Sequence, residues 1–324
     1  MKIPITIITG YLGSGKTTLL NKILQQNHGR KIAVIENEFG EINLDYEFVL
    51  HEKENIFEMT NGCICCNVRE DLVTTLKQIV NLDQKFDTVV IETTGVADPS
   101  PVLHTLKQDP ELRSLFYVDS ILCVVDAKNI HQQMDRSPEV KKQLTAAQLV
   151  LINKKDLVPT EDFIELENFL KRYNPLAEFV VSQYGDVPLE QIFLRNLFST
   201  SKSVPKLVQA GKSMAPALST KPKAEHEENI QTKYFEFAGA IDPNYFTIWI
   251  DILFFQFSAN LYRMKGILQF KNEPKKVVFQ SIHDYAEITK TEDWGDETPM
   301  NKFVVIGKDI DFNIIESGLK NCIK

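Results

Sequence analysis

The chain has little of what several large protein classes require. It contains five cysteines in 324 residues, and three of them are clustered, which suits metal binding in a reducing compartment better than a disulfide framework. Its most apolar run, 249–257, is too short to span a bilayer, and Asp251 interrupts it. The apolar start runs into a glycine-rich loop and has no cleavage site for a signal peptidase. The net charge of −8 argues against a general nucleic-acid binder, which needs a basic face. We therefore expect a cytoplasmic protein that binds neither membranes nor nucleic acid.

A phosphate-binding loop lies near the start of the chain. Residues 10–17 fit the pattern G-x-x-x-x-G-K-[ST], with a β-rich run before them and helix-forming residues after them. Lys16 is predicted to bridge the β- and γ-phosphates of a nucleotide, and Thr17 to ligate Mg²⁺. The predicted nucleotide-binding residues of this segment are Gly10, Gly13, Ser14, Gly15, Lys16, Thr17 and Thr18.

A second segment predicts which base is bound. The apolar run 149–152 reads as a strand followed by Asn153, Lys154 and Asp156, at the edge where open α/β sheets bind ligands. A carboxylate at Asp156 can accept hydrogen bonds from both N1–H and the exocyclic amine of guanine, whereas adenine has no such pair of donors. The sequence therefore predicts GTP and GDP as ligands rather than ATP.

A buried-type strand, 88–92, ends in Glu92 and is followed by Gly95. Many nucleotide hydrolases hold Mg²⁺ through water with an acid at this position. Gly95 would place a backbone N–H near the γ-phosphate, so the segment 93–98 is predicted to respond to hydrolysis. A carboxylate that caps the strand end is the simpler alternative.

The clustered cysteines, Cys63, Cys65 and Cys66, precede a predicted amphipathic helix over 68–80. A helix N-terminus favours thiolates, which are the form that binds Zn²⁺. No second cysteine pair completes a tetrahedral structural site, so a fourth ligand must come from elsewhere, with Glu36 and Glu41 as the best candidates. A redox disulfide and ordinary buried thiols remain alternatives. Cys123 and Cys322 are predicted to be small core residues.

The distribution of predicted elements indicates two domains. Strands and helices alternate over 1–198, which predicts an α/β P-loop fold with a mostly parallel sheet and helices on both faces. Residues 199–231 are rich in polar residues and proline, as in a linker. Residues 232–324 predict a smaller α+β domain with a largely antiparallel sheet. Its helix over 244–258 is predicted to be a core helix, and Arg263 and Lys265 lie on a strand whose face is either functional or solvated.

Together these segments resemble the CobW-type P-loop GTPases, relatives of the nickel-inserting GTPases of urease and hydrogenase maturation. The likeness covers nearly the whole chain, from the phosphate loop and the Cys-x-Cys-Cys motif to three C-terminal stretches at 262–266, 294–297 and 303–307. It implies a zinc-binding GTPase of the metallochaperone kind. By this resemblance Cys63, Cys65, Cys66, Glu36 and Glu41 hold the zinc.

Two features depart from what such proteins often contain. Several relatives have a histidine-rich stretch between their domains, whereas His226 is the one histidine in 221–231 here, so metal storage is not expected. No glutamine or arginine is placed by the sequence to assist hydrolysis. We therefore expect slow intrinsic GTP hydrolysis that metal, a partner or a homodimer raises.

The sequence thus predicts a GTPase that uses GTP, Mg²⁺ and Zn²⁺ and delivers zinc to a client metalloprotein that it does not identify. The catalytic residues would be Lys16, Thr17, Glu92 and Gly95. A nucleotide-gated metal or redox sensor, which binds partners without delivering metal, is the alternative.

Overall fold

The computed structural model describes residues 2–26, 29–36, 56–58, 67–198 and 230–323. The predicted acidic and cysteine ligands Glu41, Cys63, Cys65 and Cys66 lie outside these ranges. The chain divides into two compact units, Met1–Ser199 and Thr200–Lys324.

The first unit contains a seven-stranded sheet in the order β3-β2-β4-β1-β5-β6-β7. Each pair of neighbouring strands is parallel. The strands are β1 (Ile3–Thr9), β2 (Ile32–Glu36), β3 (Ile56–Glu58), β4 (Thr88–Glu92), β5 (Phe116–Asp126), β6 (Leu149–Asn153) and β7 (Glu178–Val181). Because all strands run the same way, their carboxyl ends meet at one edge, where ligands of open α/β sheets bind.

Helices connect these strands and cover the sheet. They are α1 (Lys16–Gln25), α2 (Asn67–Asn81), α3 (Ser100–Gln108), α4 (Pro110–Leu115), α5 (Ile130–Arg136), α6 (Pro138–Ala146) and α7 (Thr160–Tyr173). Ile7 and Ile8 are both fully buried, although consecutive strand residues point to opposite faces. The sheet is therefore covered on both sides, and α1 packs Leu19 and Ile23 on the face that contains Ile8.

The second unit is a five-stranded sheet in the order β11-β10-β9-β12-β8, with antiparallel neighbours throughout. Its elements are β8 (Ile230–Phe237), α8 (Pro243–Phe257), β9 (Leu261–Leu268), β10 (Lys275–Ile282), β11 (Tyr285–Asp293), β12 (Asn301–Lys308) and α9 (Phe312–Asn321). Asp242 begins α8 by accepting hydrogen bonds from the backbone N–H groups of Asn244 and Tyr245, with Pro243 at the first helical position.

Helix α8 is apolar on two sides. Phe246 is fully buried and makes aromatic contacts with Trp249, Phe270, Phe279 and Phe303. Phe255, on the same helix, is 91% exposed, and Ile248 and Ile252 are also exposed. The helix thus contributes to the core, as predicted, while four of its large apolar residues are exposed: Tyr245, Ile248, Ile252 and Phe255.

The predicted fold class is confirmed: a parallel P-loop sheet and a separate α+β unit are both present. The sequence predicts strands near 3–9, 31–36, 87–92, 119–126, 148–153 and 178–182 in the first unit. In the second it predicts strands near 233–240, 262–270, 275–283 and 301–307, so β3 and β11 were absent from the prediction. The alternative of a solvated face around Arg263 and Lys265 is wrong, because only 1% and 6% of these residues is exposed. Burial lowers the pKa of Arg263 to about 9.

Two further expectations concern the cysteines and the membrane. Cys123 and Cys322 are buried, as predicted, and burial raises the pKa of the Cys123 thiol to about 12. Among the described helices, none combines the length and the apolar character needed to cross a membrane.

The two faces of α8 can be separated by substitution. Phe246→Ala should lower the free energy of unfolding of the second unit by about 3–5 kcal/mol, because it removes a buried aromatic ring and leaves a cavity. Phe255→Ala, the matched control on the exposed face, should change it by no more than about 0.5 kcal/mol. Urea denaturation of the full chain measures both. Equal losses in the two variants would contradict the assigned core.

Candidate functional site

The phosphate loop connects β1 to α1 at the carboxyl edge of the first sheet. Gly15 precedes α1 with φ of 104°, in the left-handed region that glycine tolerates best. A Cβ atom at Gly15 would lie 2.3 Å from Nδ2 of Asn153. Glycine is therefore required here both for the backbone conformation and for the close approach of β6.

Lys16 is held inside the loop that contains it. Its Nζ donates hydrogen bonds to the carbonyl oxygens of Gly10 at 2.9 Å and Tyr11 at 3.5 Å, and 8% of the residue is exposed. Thr17 follows it in the first turn of α1 and is half-buried. The ammonium group is thus held against the backbone of the loop by two of the loop's own carbonyl oxygens.

Two hydroxyls of this region are buried without a partner among the described residues: Thr9 Oγ1 and Ser14 Oγ. Buried polar atoms are normally hydrogen-bonded, so unpaired ones indicate a missing ligand or water. A bound phosphate would offer acceptors to hydroxyl and N–H donors at a helix N-terminus. The residues present therefore fit a nucleotide phosphate.

Asn153, at the end of β6, connects the phosphate loop to the loop after β7. It is buried, and its Nδ2 donates to the carbonyl oxygen of Ser14 at 3.1 Å. Its Oδ1 accepts from Ser182 Oγ at 3.1 Å and from the Gly185 N–H at 3.2 Å. Asn153 therefore acts as a positioning group that joins the phosphate loop, the end of β6 and the loop after β7.

Lys154 makes a second contact with the phosphate loop. Its backbone is left-handed, with φ of 59°, and its Nζ donates to the carbonyl oxygen of Gly13 and to Oδ2 of Asp126, both at 2.7 Å. Asp126 is 1% exposed. Burial alone would raise the pKa of Asp126, but hydrogen bonds from Lys154 and Asn129 and the charge of Lys154 outweigh it, so the pKa lies below its ordinary value.

Asp156 lies in a short 3-10 helix, Lys155–Leu157, and its side chain is exposed. Lys155 and the loop after β7 line a cleft of about 560 Å³. Thus the structure brings Asn153 and Lys154 against the phosphate loop and leaves Asp156 open to solvent beside this cleft.

Two of the predicted acidic residues, Glu36 and Glu92, lie in one row across the sheet. Glu92 is in register with Glu36 on β2 and with Ile8 on β1, and Glu36 is in register with Glu58 on β3. Glu36 and Glu92 are half-buried. Within the part of the chain that the structure describes, no three histidine, cysteine or acidic residues form a group that could hold a metal ion.

Gly95 lies directly against the phosphate loop. It is buried, and a Cβ atom there would lie 2.7 Å from the backbone nitrogen of Leu12. Thr93, two residues earlier, is hydrogen-bonded to β1, because its N–H donates to the Ile8 carbonyl oxygen at 2.9 Å. The segment 93–98 is thus adjacent to the position expected for the terminal phosphate.

Three contributing residues were not among the predicted site residues: Asp126, Ser182 and Gly185. Asp126 is in register with Asn153 on the neighbouring strand, so the rule that ligands bind at the carboxyl ends of parallel strands could have identified it. Gly185 follows a predicted strand and is a residue typical of turns. The neighbouring sequence, however, did not indicate that its N–H donates to Asn153.

Comparison with known proteins gives two family matches that together span most of the chain. Residues 4–181 match the nucleotide-binding domain of the CobW/HypB/UreG family. Residues 230–323 match the C-terminal domain of the cobalamin synthesis protein cobW.

Individual relatives extend this likeness. The chain is 33% identical to the zinc chaperone YjiA of Escherichia coli over 313 residues, which cover 94% of each protein. It is 37% identical over 191 residues to zinc-regulated GTPase metalloprotein activator 1 of Schizosaccharomyces pombe, and here the match covers 56% of this chain and 46% of the relative. The chain thus spans about half the length of the yeast protein.

A solved structure gives the same likeness in three dimensions. The zinc-bound YjiA GTPase from E. coli superimposes with a TM-score of 0.75 at 28% identity, covering 100% of both chains. A zinc-bound triple mutant of that protein, in which one glutamate and two cysteines are alanine, gives the same TM-score.

The ion pair of Asp126 and Lys154 leads to a stability prediction. Asp126→Asn should lower the free energy of unfolding at pH 7 by about 1–3 kcal/mol, because a buried charge-assisted hydrogen bond is lost. A carboxyl whose pKa is depressed by folding stabilises the protein above its unfolded pKa of about 3.9, and this contribution disappears as the pH falls through the folded value. The difference between wild type and variant should therefore shrink below about pH 4.

Urea denaturation at pH 7, 5 and 3 measures this difference. Glu167→Gln is the control, since it removes the exposed pair with Lys171 and should cost no more than about 0.5 kcal/mol. An Asp126→Asn variant as stable as wild type at pH 7 would show that the pair does not contribute.

Proposed function

This chain belongs to the CobW/HypB/UreG family of P-loop GTPases, and on that basis we propose that it is a GTP-hydrolysing zinc metallochaperone. It binds zinc through the Cys-x-Cys-Cys motif and passes the metal to a client metalloprotein in a step that the bound nucleotide controls. The protein acts in the cytoplasm and has a two-domain organisation, with the nucleotide and the metal both bound by the first domain.

The observation that carries the nucleotide part is the pair of contacts from Asn153 and Lys154 to the phosphate loop. Each side chain donates to a carbonyl oxygen of that loop, on Ser14 and Gly13 respectively. A base-reading segment that is hydrogen-bonded to the phosphate-binding segment has a set distance from it. This arrangement supports recognition of a base and its phosphates as one ligand.

The residues of the site have distinct roles in hydrolysis. Lys16 exchanges its contacts with the Gly10 and Tyr11 carbonyls for the β- and γ-phosphates, and the Gly95 N–H contacts the γ-phosphate. Thr17 and Glu92 would hold Mg²⁺, which would neutralise developing phosphate charge. Asp156 accepts from the guanine base. Slow hydrolysis is expected until zinc, a client or a second copy of the chain completes the site.

Zinc is the cargo of the proposed cycle. The names of the relatives support it, and so does the thiolate cluster Cys63, Cys65 and Cys66, because thiolates are preferred ligands of Zn²⁺. Glu36 and Glu41 complete the proposed ligand set. Glu36 is in register with Glu92 on the neighbouring strand. This supports communication between the zinc site and the nucleotide site, since β2 then ends at the zinc and β4 ends at the nucleotide.

The guanine assignment has a direct test. Asp156→Asn should weaken GTP binding by about ten- to a hundred-fold, since hydrogen bonds to a charged acceptor contribute about 1.5–3 kcal/mol. It should also improve binding of xanthosine triphosphate, whose C2 carbonyl accepts from an amide. Asp162→Asn, at an exposed position of α7, is the control. Competition among GTP, ATP and xanthosine triphosphate measures selectivity, and an Asp156→Asn protein with wild-type selectivity would refute the assignment.

The zinc part is tested by affinity under reducing conditions, measured by competition with a chromophoric chelator. Zinc should bind tightly, and its affinity with GDP should differ about ten-fold from that with a non-hydrolysable GTP analogue, or about 1.4 kcal/mol of coupling. Cys65→Ala should weaken binding, because a thiolate ligand is lost, whereas Cys322→Ala should not, since that thiol is buried in the second unit.

Two outcomes would change the proposal. If zinc affinity is weak or independent of Cys65, the zinc part of the proposal is refuted and only the GTPase part stands. Zinc that is retained equally in both nucleotide states would favour a metal sensor over a carrier, because a carrier must lose its metal faster in one state.

A further inference from the structure

A buried glutamine on α6 contacts the loop that follows β4. Gln143 is 0% exposed, and its Nε2 donates to the carbonyl oxygen of Gly95 at 3.3 Å and to that of Ala97 at 3.0 Å. Only the nitrogen end of an amide can donate to two carbonyls. The orientation of the Gln143 side chain is therefore set by the loop itself.

The loop, residues 93–98, lies between Gln143 and the phosphate loop. On the phosphate side, a Cβ atom at Gly95 would meet Leu12, with both its backbone nitrogen and its side-chain Cγ at 2.7 Å. On the α6 side, Gln143 holds the carbonyls of Gly95 and Ala97. A shift of the Gly95 backbone must therefore either press on the phosphate loop or break a hydrogen bond to Gln143.

The other end of the same amide is unsatisfied. Gln143 Oε1 is buried and has no hydrogen-bond donor among the described residues. A buried acceptor without a donor is unfavourable, and a change that supplies one is favoured. The Gly95 carbonyl belongs to the peptide unit that also contains the Val96 N–H. Rotation of this unit would turn the carbonyl away from Nε2 and present the Val96 N–H to Oε1, whereas the Ala97 N–H already donates to the Thr94 carbonyl oxygen at 3.0 Å.

We infer that Gln143 is a positioning residue that selects the conformation of the 93–98 loop and thereby sets how strongly the protein distinguishes GTP from GDP. This inference rests on the proposed function, in which Gly95 contacts the γ-phosphate. GDP has no γ-phosphate and makes no such contact. A change at Gln143 consequently alters the affinity for GTP and leaves that for GDP nearly unchanged.

A second buried glutamine provides the comparison. Gln148 is 3% exposed, its Oε1 accepts from the Ile121 N–H at 2.8 Å, and its Nε2 donates to the Ala146 carbonyl oxygen at 3.3 Å. Both ends of its amide are satisfied by backbone groups outside the nucleotide loops. Gln148 therefore fastens the start of β6, and a change there perturbs stability without touching the 93–98 loop.

The test compares Gln143→Glu with Gln148→Glu in the full chain. A carboxylate at position 143 cannot donate to two carbonyls, so the Kd for a non-hydrolysable Mg·GTP analogue should change by about five-fold or more, within the usual range of coupling between sites. The Kd for Mg·GDP should stay within about two-fold. In Gln148→Glu the melting temperature should fall while the ratio of the two Kd values stays at the wild-type level.

Gln143→Met, which keeps the volume and introduces no charge, provides the same readout if the glutamate variant does not fold. An unchanged Kd ratio in a folded Gln143 variant, or an equal change in Gln148→Glu, would overturn the inference while the proposed function stands. A wild-type protein that binds neither nucleotide would overturn both.

Discussion

The hydrogen bonds from the end of β6 to the phosphate loop are the contacts on which the site depends. Asn153 and Lys154 donate to two successive carbonyls of that loop, and Asp126 in turn holds Lys154. The Asn153 bond is buried, where hydrogen bonds lose little to competing water. The Lys154 bond to Gly13 is exposed, but the same ammonium group is also held by the buried carboxylate of Asp126. Because β1 and β6 both pair with β5 in the parallel sheet, the sheet itself sets the distance between the phosphate-binding segment after β1 and the base-reading segment after β6.

The contacts of the 93–98 loop, unlike those from the end of β6, leave it able to change conformation. Its backbone touches Leu12 on one side and a half-satisfied glutamine on the other. A segment that can adopt two conformations, each with its own hydrogen bonds, changes state when a ligand binds one conformation better than the other. Glu92 precedes this loop and is in register with Glu36, so a change at the γ-phosphate has a short path to the acidic strand ends proposed to serve zinc.

Much of this could be predicted from sequence because it is local. The glycines and the lysine of the phosphate loop, the buried strands and the helical spacing of Leu72, Leu76 and Ile79 are patterns within a few residues. The roles of Ser182 and Gln143 were not predictable in this way, because their partners are distant: Ser182 is 29 residues from Asn153, and Gln143 is 48 from Gly95. β11 was missed because its exposed, charged alternation resembles a loop.

In the proposed cycle, guanine nucleotide and zinc influence each other through the first unit. Coupling between two ligands is reciprocal, so zinc must change nucleotide affinity by the same factor by which nucleotide changes zinc affinity. The most direct measurement is the Kd of a non-hydrolysable Mg·GTP analogue and of Mg·GDP, each with and without one equivalent of zinc. Zinc should shift the ratio of these two constants by about ten-fold. A ratio that zinc leaves unchanged would contradict it.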